Sequence, residues 1–140
     1  MIMRKILLIP IGLALSIAGC AGIGPNATYH LGTTSANYNP LYHTYLVNLN
    51  GSEIGTSVGS MTTSSVKTGS QILTWKDANT GELHRSKNDV VLTRNHLKNK
   101  KYLVVHIYPD DTIEIITSMN WPEETEKGIK WREKIRNQNK

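Results

Sequence analysis

The chain has 140 residues, 16 basic and 11 acidic side chains, a formal charge of +5 and one cysteine. One cysteine excludes an internal disulfide and a cysteine-rich zinc site, and the length suits one domain of common size. The basic residues form no concentrated stripe, which argues against a nucleic-acid partner.

The chain opens with Arg4 and Lys5, then an apolar run over Ile6–Leu15, then small residues up to Gly19. A basic start, a short apolar centre and a small-residue exit make residues 1–19 a cleaved secretory signal. The run falls short of the ~20 apolar residues that a membrane span needs, which disfavours an uncleaved anchor. Removal of the signal leaves 14 basic against 11 acidic side chains, a formal +3.

Ile17-Ala18-Gly19-Cys20 resembles the lipobox of bacterial lipoproteins. The resemblance implies cleavage before Cys20 and lipid attachment to its thiol. Two or more acyl chains then hold a protein stably on a membrane. Ala21, where an Asp would retain the protein at the inner membrane, resembles the outer-membrane sorting pattern of Gram-negative lipoproteins. The domain would then face the periplasm.

Residues 20–41 are rich in Gly, Asn, Thr, Ser and Pro without periodicity and read as a lipidated flexible tether. Residues 42–140 read as a single β-rich domain. Tyr42–Leu49 has the β-branched and aromatic content of a strand, and Asn50-Gly51 is a turn signal. The Ser/Thr-rich stretch 52–70 allows one or two irregular strands anchored by Ile54, Val58, Met61 and Val66. Gln71–Asp77 predicts a clearer strand, returning through the loop Ala78–Gly81 into Glu82–Arg85. Val90–Thr93 is a further strand, and 94–101 a loop or one helical turn.

Tyr102–Tyr108 predicts a strand, Pro109-Asp110-Asp111 a turn, and Thr112–Thr117 an antiparallel return with Ile113 and Ile115 opposite Glu114. Trp121-Pro122-Glu123-Glu124 has the proline and acids of a helix start. Gly128 weakens that helix, Trp131 and Ile135 are spaced to pack on the sheet, and fraying is expected after Ile135. The expected fold is mainly β: an antiparallel β-sandwich or curled sheet of about six to seven strands with a short C-terminal helix.

Gly55-Thr56-Ser57-Val58-Gly59 matches G-x-S-x-G, which presents a nucleophilic serine at a strand-to-helix turn. Its flanks lack a helical period, so it reads as a glycine-relieved strand or loop. A catalytic Ser57 would draw on Asp77, Asp89, His96 or His106, and no catalytic residue is assigned. His30, His43, His84, His96 and His106 form no H-x-H or H-E-x-x-H pattern, so no metal and no cofactor is assigned. His106 reads as a structural histidine with a hydrogen-bond partner, and His43 and His84 as candidates for an exposed interface. Asp110-Asp111 reads as a turn rather than a cation site. Asn26-Ala27-Thr28 is a formal glycosylation sequon of little meaning in a bacterial lipoprotein. Trp75 reads as core, whereas Trp121 is open between core and partner anchor.

Three stretches carry a family resemblance. Tyr38-Asn39 with Val47-Asn48-Leu49-Asn50-Gly51 is similar to an early Tyr-Asn element and Val-Asn-Gly turn. Ile72-Leu73-Thr74-Trp75 resembles a central apolar strand, and Tyr102–Ile113 a late signature turning through Pro-Asp. Trp121-Pro122 falls where a closing proline occurs. The family comprises small bacterial lipoproteins with a domain of unknown function, often encoded beside phospholipase effectors of the type VI secretion system. The resemblance spans about residues 38–122. It departs at Ser64-Ser65, where many relatives carry adjacent cysteines.

The resemblance implies an immunity lipoprotein that binds a phospholipase toxin in the periplasm, blocking its active site or its approach to membrane. Such an interface buries ~1,600 Å² around a few aromatic or arginine anchors. Tyr42, His43, Arg85 and Trp121 are the candidate partner-binding residues by type and position. The alternatives are a structural or accessory envelope lipoprotein of a secretion machine, and a small hydrolase using Ser57.

Overall fold

The computed structural model describes residues 27–140. The expected signal over residues 1–19, the expected lipidation site Cys20, the first part of the expected tether and Asn26 of the sequon lie outside the described residues.

The strands among the described residues are β1 (Thr28–Asn37), β2 (Thr44–Leu49), β3 (Ser52–Glu53), β4 (Thr62–Lys67), β5 (Gly69–Gln71), β6 (Leu73–Asp77), β7 (Leu83–Arg85), β8 (Val90–Leu92), β9 (Tyr102–Ile107) and β10 (Ile113–Ser118). Two helices accompany them, α1 (Arg94–Leu97) and α2 (Glu126–Gln138). One four-stranded sheet has the order β10-β9-β1-β4, a second has β3-β2-β6-β7, and β5 pairs with β8. The fold is mainly β, with largely antiparallel sheets and one C-terminal helix, in keeping with a β-sandwich.

Alternation sorts the side chains. Leu31, Leu103, Val105, Ile107 and Ile113 of the first sheet meet Val47, Leu49, Leu73 and Trp75 of the second in one buried cluster. The opposite face of the first sheet turns Ala36, Tyr38, Val104 and Tyr108 toward Trp131 of α2. β9 is therefore covered on both faces, which is why Leu103–Ile107 reads as an apolar run interrupted only by His106.

The tether expected over residues 20–41 is corrected by β1. Thr28–Asn37 is a central strand, antiparallel to β4 and parallel to β9. The domain therefore begins before residue 42. Its polar residues are buried because each hydroxyl has an acceptor. Thr33 Oγ1 donates to the Thr62 carbonyl at 2.7 Å, and Ser35 Oγ to the Gly55 carbonyl at 2.7 Å. Thr34 Oγ1 lies against the Ser57 and Ser60 carbonyls. A satisfied hydroxyl is cheap to bury, whereas an unsatisfied one costs several kcal/mol. The β1–β9 pair also makes the first sheet mixed, since the whole second sheet is inserted between these strands.

The strand expected over Gln71–Asp77 breaks at Ile72, and its parts join different sheets. Asn50 pins the corner: its Oδ1 accepts from Ile72 N at 2.7 Å and its Nδ2 donates to Gln71 Oε1 at 2.8 Å.

Helix α2 starts later than Trp121-Pro122 suggests. Thr125 is the N-cap, its Oγ1 accepting from Gly128 N at 3.0 Å, and the helix runs through Gln138. Gly128 is the contact point with the sheet, since a Cβ there would lie 2.5 Å from the ring of Tyr38. Alanine gains about 1 kcal/mol of helix propensity over glycine, but Tyr38 is fully buried and its ring cannot retreat. Gly128→Ala is expected to destabilise by about 1–3 kcal/mol net, measured by urea unfolding.

Candidate functional site

A cleft of about 460 Å³ opens where β1 ends and is walled by the 37–44 loop, the 56–58 loop and α2. The first wall is held rigid by Asn37. Its Nδ2 donates to the Tyr42 carbonyl at 2.9 Å and its Oδ1 accepts from Asn39 N at 3.0 Å. Tyr42 hangs from this loop, stacked on His84 at 5.4 Å, with its hydroxyl accepting from Trp75 Nε1 at 2.9 Å. Burial pushes the Tyr42 hydroxyl above its usual pKa, so it stays neutral. His43 is exposed on the same lip.

The second wall contains the G-x-S-x-G segment. Ser35 Oγ holds the Gly55 carbonyl, Thr34 the Ser57 and Ser60 carbonyls, and Ser60 N donates back to Ser57 O at 2.9 Å. Ser57 is exposed at the rim of this turn. The next element is strand β4, so Ser57 does not stand on a strand-to-helix elbow. His106, one possible triad partner, is engaged elsewhere, and His96 accepts from Thr93 N at 2.8 Å to cap α1.

The third wall is α2. Arg132 forks onto Glu124 at 2.7 and 2.8 Å with its guanidinium 5.7 Å from the Tyr38 ring. Hydrogen bonding from Arg132 holds the Glu124 carboxyl below the usual range. Arg136, one turn on, reaches Glu133 at 3.0 Å and is more than half exposed. Both arginines line the cleft. Neither arginine is singled out by residue type or spacing; their convergence with the Tyr42 loop depends on how α2 docks.

The four candidate anchors divide among three places. Tyr42 and His43 share the cleft. Arg85 is exposed on the outer face of the second sheet, in a cross-strand row with Thr74 and Asn48. Trp121 is 57% exposed near the other end of the sandwich, edge-on to Tyr102 at 5.4 Å. His84, a candidate for exposure, is instead stacked on both Tyr42 and Trp75, with Nδ1 3.0 Å from Asp111 Oδ2. Its pairing with Trp75 across β6 and β7 puts both on the inner face. Asp111 sits at φ 66° in the tight turn expected there. Trp75 is fully buried, as expected.

Beneath α2 a polar network joins helix to sheet. Tyr38 oxygen accepts from Thr125 N at 2.8 Å, so its own proton goes to His106 Nδ1 at 2.8 Å. Tyr108 donates to Glu114 at 2.7 Å and lies 3.1 Å from Thr125 Oγ1, and burial pushes its hydroxyl up to about 12. His106 is the structural histidine foreseen for this strand, and burial pushes its imidazole down to about 4.

Linkage gives a pH dependence. Above pH ~6.5 His106 is neutral whether folded or not. Below that the unfolded chain takes up a proton that the folded one refuses until about pH 4. Stability is therefore fully present above pH ~6.5 and falls by about 3 kcal/mol between there and pH ~4. Urea midpoints across this range check it, and His106→Gln is expected to flatten the upper part of the curve.

Comparison with protein-family models, with curated proteins and with solved structures gives no match.

Proposed function

We propose that the chain is a lipid-anchored envelope protein, bound to the outer membrane and facing the periplasm, that neutralises a secreted phospholipase effector by binding it. The observation that carries this reading is a lipobox-like sequence ending in Cys20 after the pattern of an export signal, ahead of a domain with a rigid, aromatic-edged cleft lined by Arg132, Arg136 and Glu124. Tyr42 and the 37–42 loop are pre-organised by Asn37 and Trp75, so little conformational entropy is lost on binding. His43 and Arg136 supply exposed donors beside them. Arginine and aromatic groups in a desolvated recess are the usual hot spots of a protein interface. The motifs over about residues 38–122 supply the partner's class.

The test is co-expression with a periplasmic phospholipase effector encoded beside the chain. Cells carrying the protein are expected to survive, and cells carrying His43→Ala/Arg136→Ala to lose protection, with binding weakened at least about tenfold. Equal death with and without the protein overturns the reading. A Ser57→Ala variant that protects fully is also expected, because binding, not hydrolysis, is the mode of action.

A further inference from the structure

One end of the sandwich combines lysines with exposed apolar side chains. β9 is parallel to β1 with Gly32 opposite Tyr102, so the loop preceding β9 lies toward the start of β1. That loop carries Lys98, Lys100 and Lys101, and the Lys101 carbonyl accepts from Gly32 N at 2.9 Å. Lys67 is paired with Thr28, the first residue of β1. β10 ends beside Tyr102 and leads into Met119 and Trp121, 51% and 57% exposed, next to Ile116 at 41%. Glu123 lines the same shallow recess as Trp121 and offsets one of these charges.

At the opposite end Asp77 and Glu82 flank the β6–β7 hairpin loop and Asp110 and Asp111 form the β9–β10 turn, with Lys87 and Lys127 beside that turn. The cleft lined by Tyr42, His43 and Arg136 opens from the C-terminal part of β1, away from the lysine loop.

We propose that the lysine-rich end, with Trp121 and Met119, rests on an anionic phospholipid leaflet. The inference rests on acylation of Cys20. Thr28 is eight residues beyond Cys20, and an extended chain covers at most about 3.6 Å per residue, so the start of β1 is held within about 29 Å of the anchor. A domain on so short a leash keeps one end at the bilayer. The end it presents combines lysines, which attract acidic headgroups, with an exposed tryptophan, a side chain suited to the membrane–water boundary. Each lysine near an anionic leaflet favours contact by about fivefold. With the lysine end on the leaflet, the cleft, which opens from the other end of β1, faces the aqueous side.

The test uses the full acylated chain reconstituted into phosphatidylglycerol–phosphatidylethanolamine vesicles or into phosphatidylcholine vesicles, each with a headgroup-depth spin-labelled quencher. Trp75 is buried and Trp131 half-buried, so Trp121 is the exposed tryptophan, and Trp121→Phe gives the background. On phosphatidylglycerol, Trp121 emission is expected to be quenched by the labelled lipid and shielded from acrylamide. On phosphatidylcholine, or in Lys98→Gln/Lys100→Gln/Lys101→Gln, lipid quenching is expected to fall to the background. Equal acrylamide access on both vesicles overturns the docking. The mass of the Cys20 peptide separates the two premises: an acylated peptide with a water-exposed Trp121 refutes the docking alone, and an unacylated one refutes both.

Discussion

Gly55→Ala is expected to destabilise the domain by about 3 kcal/mol or more, the range in which steric overpacking and broken hydrogen bonds combine. A Cβ on Gly55 would stand 1.7 Å from the Ser60 carbonyl oxygen and 2.8 Å from Thr34 Oγ1. The nearest obstacle is backbone and cannot rotate away. Relief requires the 55–60 turn to lift from β1, which breaks the bonds from Ser35 to Gly55 and from Thr34 to Ser57 and Ser60. Buried hydroxyls then lose their acceptors. Gly59, the other glycine of G-x-S-x-G, has nothing within 4 Å of its would-be Cβ, so Gly59→Ala is expected to change stability by about 0.5 kcal/mol or less. The contrast, read by urea unfolding, assigns the motif to close packing. Equal sensitivity at both glycines would contradict that assignment.

Tyr38→Ala is expected to cost about 3–5 kcal/mol, the range for removing a large buried aromatic side chain. Its ring is fully buried, stacks on His106 at 5.7 Å and Tyr108 at 5.4 Å, and underlies Gly128. Removing the ring opens a cavity under α2 and strands His106 and Thr125 N together. Tyr38→Phe separates the two contributions. It keeps the ring and deletes the hydroxyl, which leaves the buried His106 Nδ1 without its partner at about 1–3 kcal/mol and frees the half-buried Thr125 N. Because α2 carries Arg132 and Arg136 into the cleft, both variants are expected to weaken partner binding as well as stability. A Tyr38→Phe variant as stable as the wild type would show that the polar network does not fasten the helix.

How much of this was legible beforehand depended on what kind of signal each segment carries. Tyr102–Tyr108 and Thr112–Thr117 were readable because periodicity and a Pro-Asp-Asp turn are local properties. Trp75 and His106 followed from lying inside such runs. β1 was not readable, since its polar residues cover a sheet interior only through partners contributed by β4 and the 55–60 turn. Composition scores Thr33, Thr34 and Ser35 as tether; hydrogen bonding makes them core. The start of α2 was misplaced for a related reason: Pro122 and the acids at 123 and 124 suggest a cap, but Thr125 is the residue whose side chain reaches the free N–H of Gly128.

The candidate site divides in the same way. Residue type alone selected Tyr42 and His43, which the fold does bring to one cleft, and equally Arg85 and Trp121, which it sends elsewhere. Arg132, Arg136 and Glu124 join the cleft only because Gly128 lets α2 press against Tyr38. The order of apolar and polar residues along the chain by itself determined a β-rich domain, because alternation and turn chemistry act between near neighbours. Which polar strand became the centre of a sheet, which histidine was buried and which arginines met the tyrosine loop were decided by contacts between residues far apart in sequence, where each hydroxyl and each charge found its partner.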